Sequence, residues 1–167
     1  MGAGKSTVGR ALAARLKRPF VDTDEVIEHH TGRTIAHIFA REGERAFRLM
    51  EQHLLAELTR TEGQVVAVGG GAVMDDGNWK RLQESGITVY LQCPVALLVR
   101  RLAEDGVRPL LQGQKGRRRH EVLAKLFAQR EPRYRQAKLI VLVEEGKGVG
   151  ELVDQLIEML EREHGNA

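Results

Sequence analysis

The run Gly2-Ala3-Gly4-Lys5-Ser6-Thr7 constrains this chain more than any other stretch, because a helical pattern continues from it without a break. Val8, Ala11, Leu12 and Leu16 fall on one face of a helix predicted over residues 5–17, and Pro19 stops it. A glycine-rich turn feeding a helix N-terminus directs backbone N–H groups and the positive end of the helix dipole at an anion. The pattern G-x-x-x-x-G-K-[ST] does this for nucleotide phosphates, with the lysine on the outer phosphates and the hydroxyl on magnesium. Gly4-Lys5-Ser6 supplies its second half. The first glycine of the pattern would fall two positions before Met1, and the strand that leads into such a loop would also precede the chain as given. A chance match ahead of a helix is the bland alternative, and the order of elements after the loop argues against it.

Beyond the loop the chain keeps a strand–helix rhythm. Phe20-Val21-Asp22 reads as a short strand, with Thr23 or Asp24 capping a helix towards His30 that Gly32 breaks. Thr34 opens a helical stretch to Arg41. After Gly43 a longer one runs over residues 44–60, with Phe47, Met50, Leu54, Leu55 and Leu58 inward. The apolar run at 64–68 suits a parallel strand covered on both faces, and it ends in Gly69-Gly70-Gly71. A helix near 78–84, a strand at 87–91, a helix over 94–103, a helix over 121–130, a strand at 139–143 and a closing helix at 149–163 complete an α/β pattern with a parallel sheet. Only residues 104–120 lapse into glycine, glutamine and basic residues.

At 167 residues and 42% hydrophobic content the chain suits one domain with a real core. It holds no run of roughly 20 apolar residues for a membrane span and no signal-peptide layout, so a soluble, cytoplasmic protein is expected. Cys93 is the single cysteine, which excludes an internal disulfide. The net charge of +3 favours anionic partners, but aromatics make up only 4% and nowhere alternate with basic residues, so small phosphates and carboxylates fit better than nucleic acid. His29, His30, His37 and His53 form no metal-ligand grouping with the cysteine.

Several residues carry chemistry beyond the loop. Asp22 closes a strand beside the loop and can help Ser6 hold magnesium, or simply cap the next helix. Asp24 is the candidate base that orients an acceptor hydroxyl. Arg48 and Arg130 can fork onto a carboxylate, and Gly69, Gly70 and Gly71 let a polar ring approach bare backbone. Taken singly, such arginines are usually solvated charges and such glycines a tight turn.

Taken in order, however, the motifs resemble those of shikimate kinases along nearly the whole chain. They are Gly2 to Thr7, Asp22-Thr23-Asp24 with Ile27-Glu28, Phe47-Arg48 with Glu51, Gly69-Gly70-Gly71-Ala72, Arg108-Pro109-Leu110-Leu111, and Arg130 with Pro132 and Tyr134. The resemblance implies a P-loop three-layer α/β/α fold with strand order 2-3-1-4-5, the first strand absent here. It implies transfer of the ATP γ-phosphate to the 3-hydroxyl of shikimate with Mg²⁺, on the route to chorismate and the aromatic amino acids. By position it makes Lys5, Asp24 and Arg108 catalytic, and Gly2, Ala3, Gly4, Lys5, Ser6, Thr7, Arg101, Arg108 and Lys147 contacts of ATP. Asp24, Arg48, Gly69, Gly70, Gly71 and Arg130 become shikimate contacts, and Ser6 and Asp22 the magnesium site. It further implies a monomeric single domain over 1–167, with an acceptor-binding region at about 24–60 and a lid at about 104–120. Arg117 to Arg119 are expected to be a solvated face.

Two other readings compete: a gluconate- or nucleoside-type kinase of the same fold, and an inactive, N-terminally truncated chain that only binds. The expectation is that the natural chain begins some ten residues earlier, since the strands at 65–68 and 87–91 would otherwise be left unpaired.

Overall fold

The computed structural model describes residues 2–104 and 116–165, and the side chains among them except those of 102–104, 116–120 and 164. Among the described residues seven helices and four strands follow in order: α1 Lys5–Leu16, β1 Phe20–Asp22, α2 Thr23–Thr31, α3 Ile35–Leu58, β2 Val65–Ala67, α4 Asp76–Ser85, β3 Val89–Gln92, α5 Val95–Glu104, α6 Gly116–Tyr134, β4 Leu139–Leu142 and α7 Val149–Gly165. A single 3₁₀ turn, Ala72–Met74, joins the glycine triplet to α4. Among the described residues no helix is long and apolar enough to cross a membrane.

The strands form two parallel pairs, β1 with β2 and β3 with β4. These are the outer neighbours of the expected order 2-3-1-4-5. Between β2 and β3 lies a cleft of about 840 Å³, lined by both strands and by Val8, Leu12, Trp79 and Leu156 from the covering helices. The described residues place no strand in it. Each inner strand thus pairs along one edge only, not along none.

The helices divide around the strands. Val8 and Leu12 of α1, Leu97 and Leu98 of α5, and Leu152, Val153 and Leu156 of α7 form one core with Val141 of β4. Cys93 is buried in that same cluster, so it acts as filler rather than as a surface thiol. On the other side α3, α4 and α6 meet around the 3₁₀ turn. Ile27, Ile38 and Phe47 bind α2 to α3 in a smaller separate core.

One local expectation holds and one changes. The helical stretches at 34–41 and 44–60 stay distinct within α3, because Gly43 between them takes the non-helical φ 82° and ψ 169°. A residue without Cβ turns the chain there at little cost. The cap of α2 is Asp22 rather than Thr23 or Asp24, its carboxylate accepting from the Asp24 N–H at 3.0 Å. Thr23 serves elsewhere: its hydroxyl donates to the Ala67 carbonyl at 3.3 Å and accepts from the Gly69 N–H at 3.1 Å.

That hydroxyl sits in a residue only 1% exposed and joins the ends of β1 and β2. Thr23→Val keeps the shape but takes this partner from the buried Ala67 carbonyl and the part-buried Gly69 N–H, and a buried group left unpaired costs about 1–3 kcal/mol. A lower urea midpoint with an unchanged slope is the expected outcome of equilibrium unfolding.

Candidate active site

The parallel register aligns Asp22 with Ala67, so residues 22–24 and 69–71 leave their strands side by side at the carboxyl ends. Open α/β sheets bind ligands at that end. The glycine loop before α1 lies there too. Gly4 is left-handed, at φ 84°, and caps α1 by accepting from the Val8 N–H at 2.9 Å. Ser6 in the first turn of α1 donates to Asp22 Oδ2 at 2.5 Å. A hydroxyl and a nearly buried carboxylate therefore converge on one point, the hard-oxygen donor set that suits Mg²⁺. Asp22 is both helix cap and magnesium candidate, so the two readings of it coexist.

Arg101 reaches back to this loop from α5, its Nη1 lying 3.5 Å from the Gly2 carbonyl. Lys147, on the loop after β4, donates to Gln155 at 2.8 Å. Glu145 of the same loop pairs with Arg100, which draws the loop towards α5. Arg108 lies outside the described residues, with most of the expected lid.

The glycine triplet is the meeting point of the remaining candidates. A Cβ built on Gly69 would lie 2.5 Å from Glu51 Oε1 and 3.3 Å from Asp24 Oδ1. On Gly70 it would lie 2.9 Å from the Tyr134 hydroxyl and 3.9 Å from Arg130 Nη1, and on Gly71 it would run into the Arg48 guanidinium. Asp24, Arg48 and Arg130 thus come from α2, α3 and α6 onto three successive residues. A side chain on any of the three would have to displace Glu51, Tyr134 or Arg48.

Electrostatics reinforce the convergence. Arg48 pairs with Glu51 one turn on, and its Nη2 donates to Glu44 at 2.9 Å. Burial works to lower the Arg48 pKa, but the two carboxylates outweigh it and hold the guanidinium above its usual value. Glu51 lies deeper, 1% exposed, and there the balance reverses. Burial pushes its carboxyl up, Arg48 offsets only part of this, and the negative charge of Asp24 adds to the rise. Glu51 and Tyr134 are the residues that a site reading from sequence misses. Their signal was spacing, since Arg48/Glu51 and Arg130/Tyr134 are three and four residues apart, on one helical face each. Among the described residues no cluster of three or more His, Cys, Asp or Glu could hold a metal.

Known proteins resemble this chain along nearly its whole length. The family model described as shikimate kinase matches residues 1–161. The shikimate kinase of Chromohalobacter salexigens is 45% identical over 163 residues, covering 97% of this chain and 88% of the relative. That of Pseudoalteromonas translucida is 42% identical over 161 residues, covering 96% and 92%. A solved structure of shikimate kinase from Acinetobacter baumannii in complex with shikimate superposes with a TM-score of 0.88 at 41% identity, covering 98% of this chain and 89% of that one. A gluconokinase from Sinorhizobium meliloti superposes at 0.60 and 18% identity, over 99% and 90% of the two chains, which is a likeness of fold alone.

The raised Glu51 carboxyl carries a sign that can be checked. A group whose pKa is higher folded than unfolded adds stability below its ordinary value, here 4.5, and that stability is lost as pH rises through the folded value. Glu51→Gln lacks this contribution. Measured by urea unfolding, the stability of the parent relative to the variant is therefore expected to fall as pH rises from 4.5 towards neutrality.

Proposed function

This chain belongs to the shikimate kinase family, and from that premise we propose how its residues move the γ-phosphate of ATP to the 3-hydroxyl of shikimate. Lys5 and the backbone N–H groups of residues 2–7 take the phosphates, as a helix N-terminus preceded by glycines is suited to do. Ser6 and Asp22 hold Mg²⁺, whose charge, once bound, offsets that on the phosphate oxygens. Arg48 and Arg130 grip the acceptor carboxylate as bidentate forks, and the glycine triplet lets the ring lie against backbone. Asp24 orients the 3-hydroxyl and takes its proton as the new O–P bond forms and the bond from the γ-phosphorus to the ADP oxygen breaks. Arg108 steadies the transferring group, and Arg101 and Lys147 border the adenine. The working unit is a single-domain monomer in the cytoplasm.

The observation that carries this reading is the convergence of Asp24, Arg48 and Arg130 on Gly69, Gly70 and Gly71, next to the pair formed by Ser6 and Asp22. A nucleoside has no carboxylate for the two arginines, and gluconate has one but no ring to lie against the glycine triplet. ADP release is expected with shikimate and not with gluconate or nucleosides. Turnover confined to a non-shikimate acceptor is the contrary result.

Asp24→Asn is expected to lower turnover by about 10²–10⁴-fold while calorimetric titration still shows ATP binding. Lys5→Ala is expected to weaken both. Loss of ATP binding in the Asp24 variant contradicts an acceptor-side role.

A further inference from the structure

We propose that Tyr134 is a positioning residue for the acceptor, locking the Gly70–Gly71 peptide so that its N–H faces the bound carboxylated ring. This rests on the reading of the glycine triplet and Arg130 as acceptor-side groups.

The plane of a peptide unit fixes the C=O of one residue and the N–H of the next in opposite directions. Whatever holds the Gly70 carbonyl therefore also aims the Gly71 N–H. Between two glycines that plane rotates at little steric cost, so nothing local holds it. Here the restraint comes from far along the chain: the Tyr134 hydroxyl donates to the Gly70 carbonyl at 2.7 Å, across 64 residues of sequence. With that bond all three carbonyls of the triplet are engaged. Gly69 accepts from the Ala72 N–H at 3.0 Å and Gly71 from the Met74 N–H at 3.1 Å. The Gly69 N–H is held by Thr23. The donors that the triplet can turn to a ligand are therefore the N–H groups of Gly70 and Gly71, and Tyr134 sets the direction of the second.

Tyr134 is itself held. Its ring packs on Tyr90 of β3, with centroids 5.3 Å apart. The neighbouring Arg133 pairs with Asp76 and lies over the Trp79 ring at 6.0 Å, both on α4. Arg130, one turn before Tyr134 on α6, lies beside Gly70 together with the phenol; burial raises the phenol's pKa, and the charge of Arg130 works to lower it. The end of α6 is thus fixed against β3, α4 and the glycine loop at once. Tyr134 ties an arginine of the carboxylate clamp to the backbone donor beside the other arginine, since Gly71 lies against Arg48.

The test is Tyr134→Phe, which keeps the ring on Tyr90 and removes only the hydroxyl. Steady-state ADP release is followed with shikimate and ATP varied in turn, together with thermal unfolding. The expected result is a KM for shikimate raised about tenfold, the change that one hydrogen bond of ordinary strength corresponds to. The KM for ATP is expected to stay within about twofold, with kcat less affected than kcat/KM. A shikimate KM unchanged in the variant overturns the proposal, as does a parallel rise in both KM values with a lowered thermal midpoint, which marks a merely structural side chain. Those results leave the acceptor assignment standing. A parent enzyme that releases no ADP with shikimate removes that assignment, and this proposal with it.

Discussion

The parallel pairing of β1 with β2 is the constraint on which the site depends. Each strand has only three residues, yet the register that sets Asp22 against Ala67 also sets the two junctions after them side by side. One junction carries the carboxylates Asp22 and Asp24, the other the glycine triplet. The Thr23 hydroxyl fastens the two by bonding to both Ala67 and Gly69. A slip of one residue would put Asp22 on the wrong face and carry Ser6's partner away from it.

Within that frame the acceptor site is built by exclusion of side chains. Asp24, Glu51, Tyr134, Arg130 and Arg48 crowd onto three residues whose Cβ positions are already taken. The same crowding buries Glu51, an unfavourable place for a carboxylate, and its pairing with Arg48 makes that tolerable without cancelling it. Arg48, more exposed, remains charged and is held in a fixed direction by Glu44 and Glu51. A fork fixed before the ligand arrives loses less side-chain entropy on binding.

Much of this was legible in the sequence because its signals are local. The glycine loop ahead of α1, Asp22 at a strand end and the triplet at the end of β2 are read from neighbours along the chain, and the strands came out within two residues of expectation. What was not legible depends on distance in sequence or on a choice between local solutions. The bond from Tyr134 to Gly70 spans 64 residues, so no window contains it. Glu51 stood in the sequence only as a motif member beside Arg48, and its burial shows only in the fold. Asp22, Thr23 and Asp24 each offered a cap for α2, and Thr23 is drawn away to bridge Ala67 and Gly69 while Asp22 caps. Arg108 and most of the expected lid lie outside the described residues, so their place stays as the resemblance gives it.

At the centre of the proposed function stands a single carboxylate-binding acceptor site, formed by the glycine triplet and the side chains around it. A crystal structure of this chain with shikimate bound tests this most directly. The predicted result has the carboxylate between Arg48 and Arg130, the ring over Gly69 to Gly71, and the 3-hydroxyl within hydrogen-bond reach, about 3 Å, of Asp24. Shikimate bound away from the triplet, or with its carboxylate touching neither arginine, would contradict it.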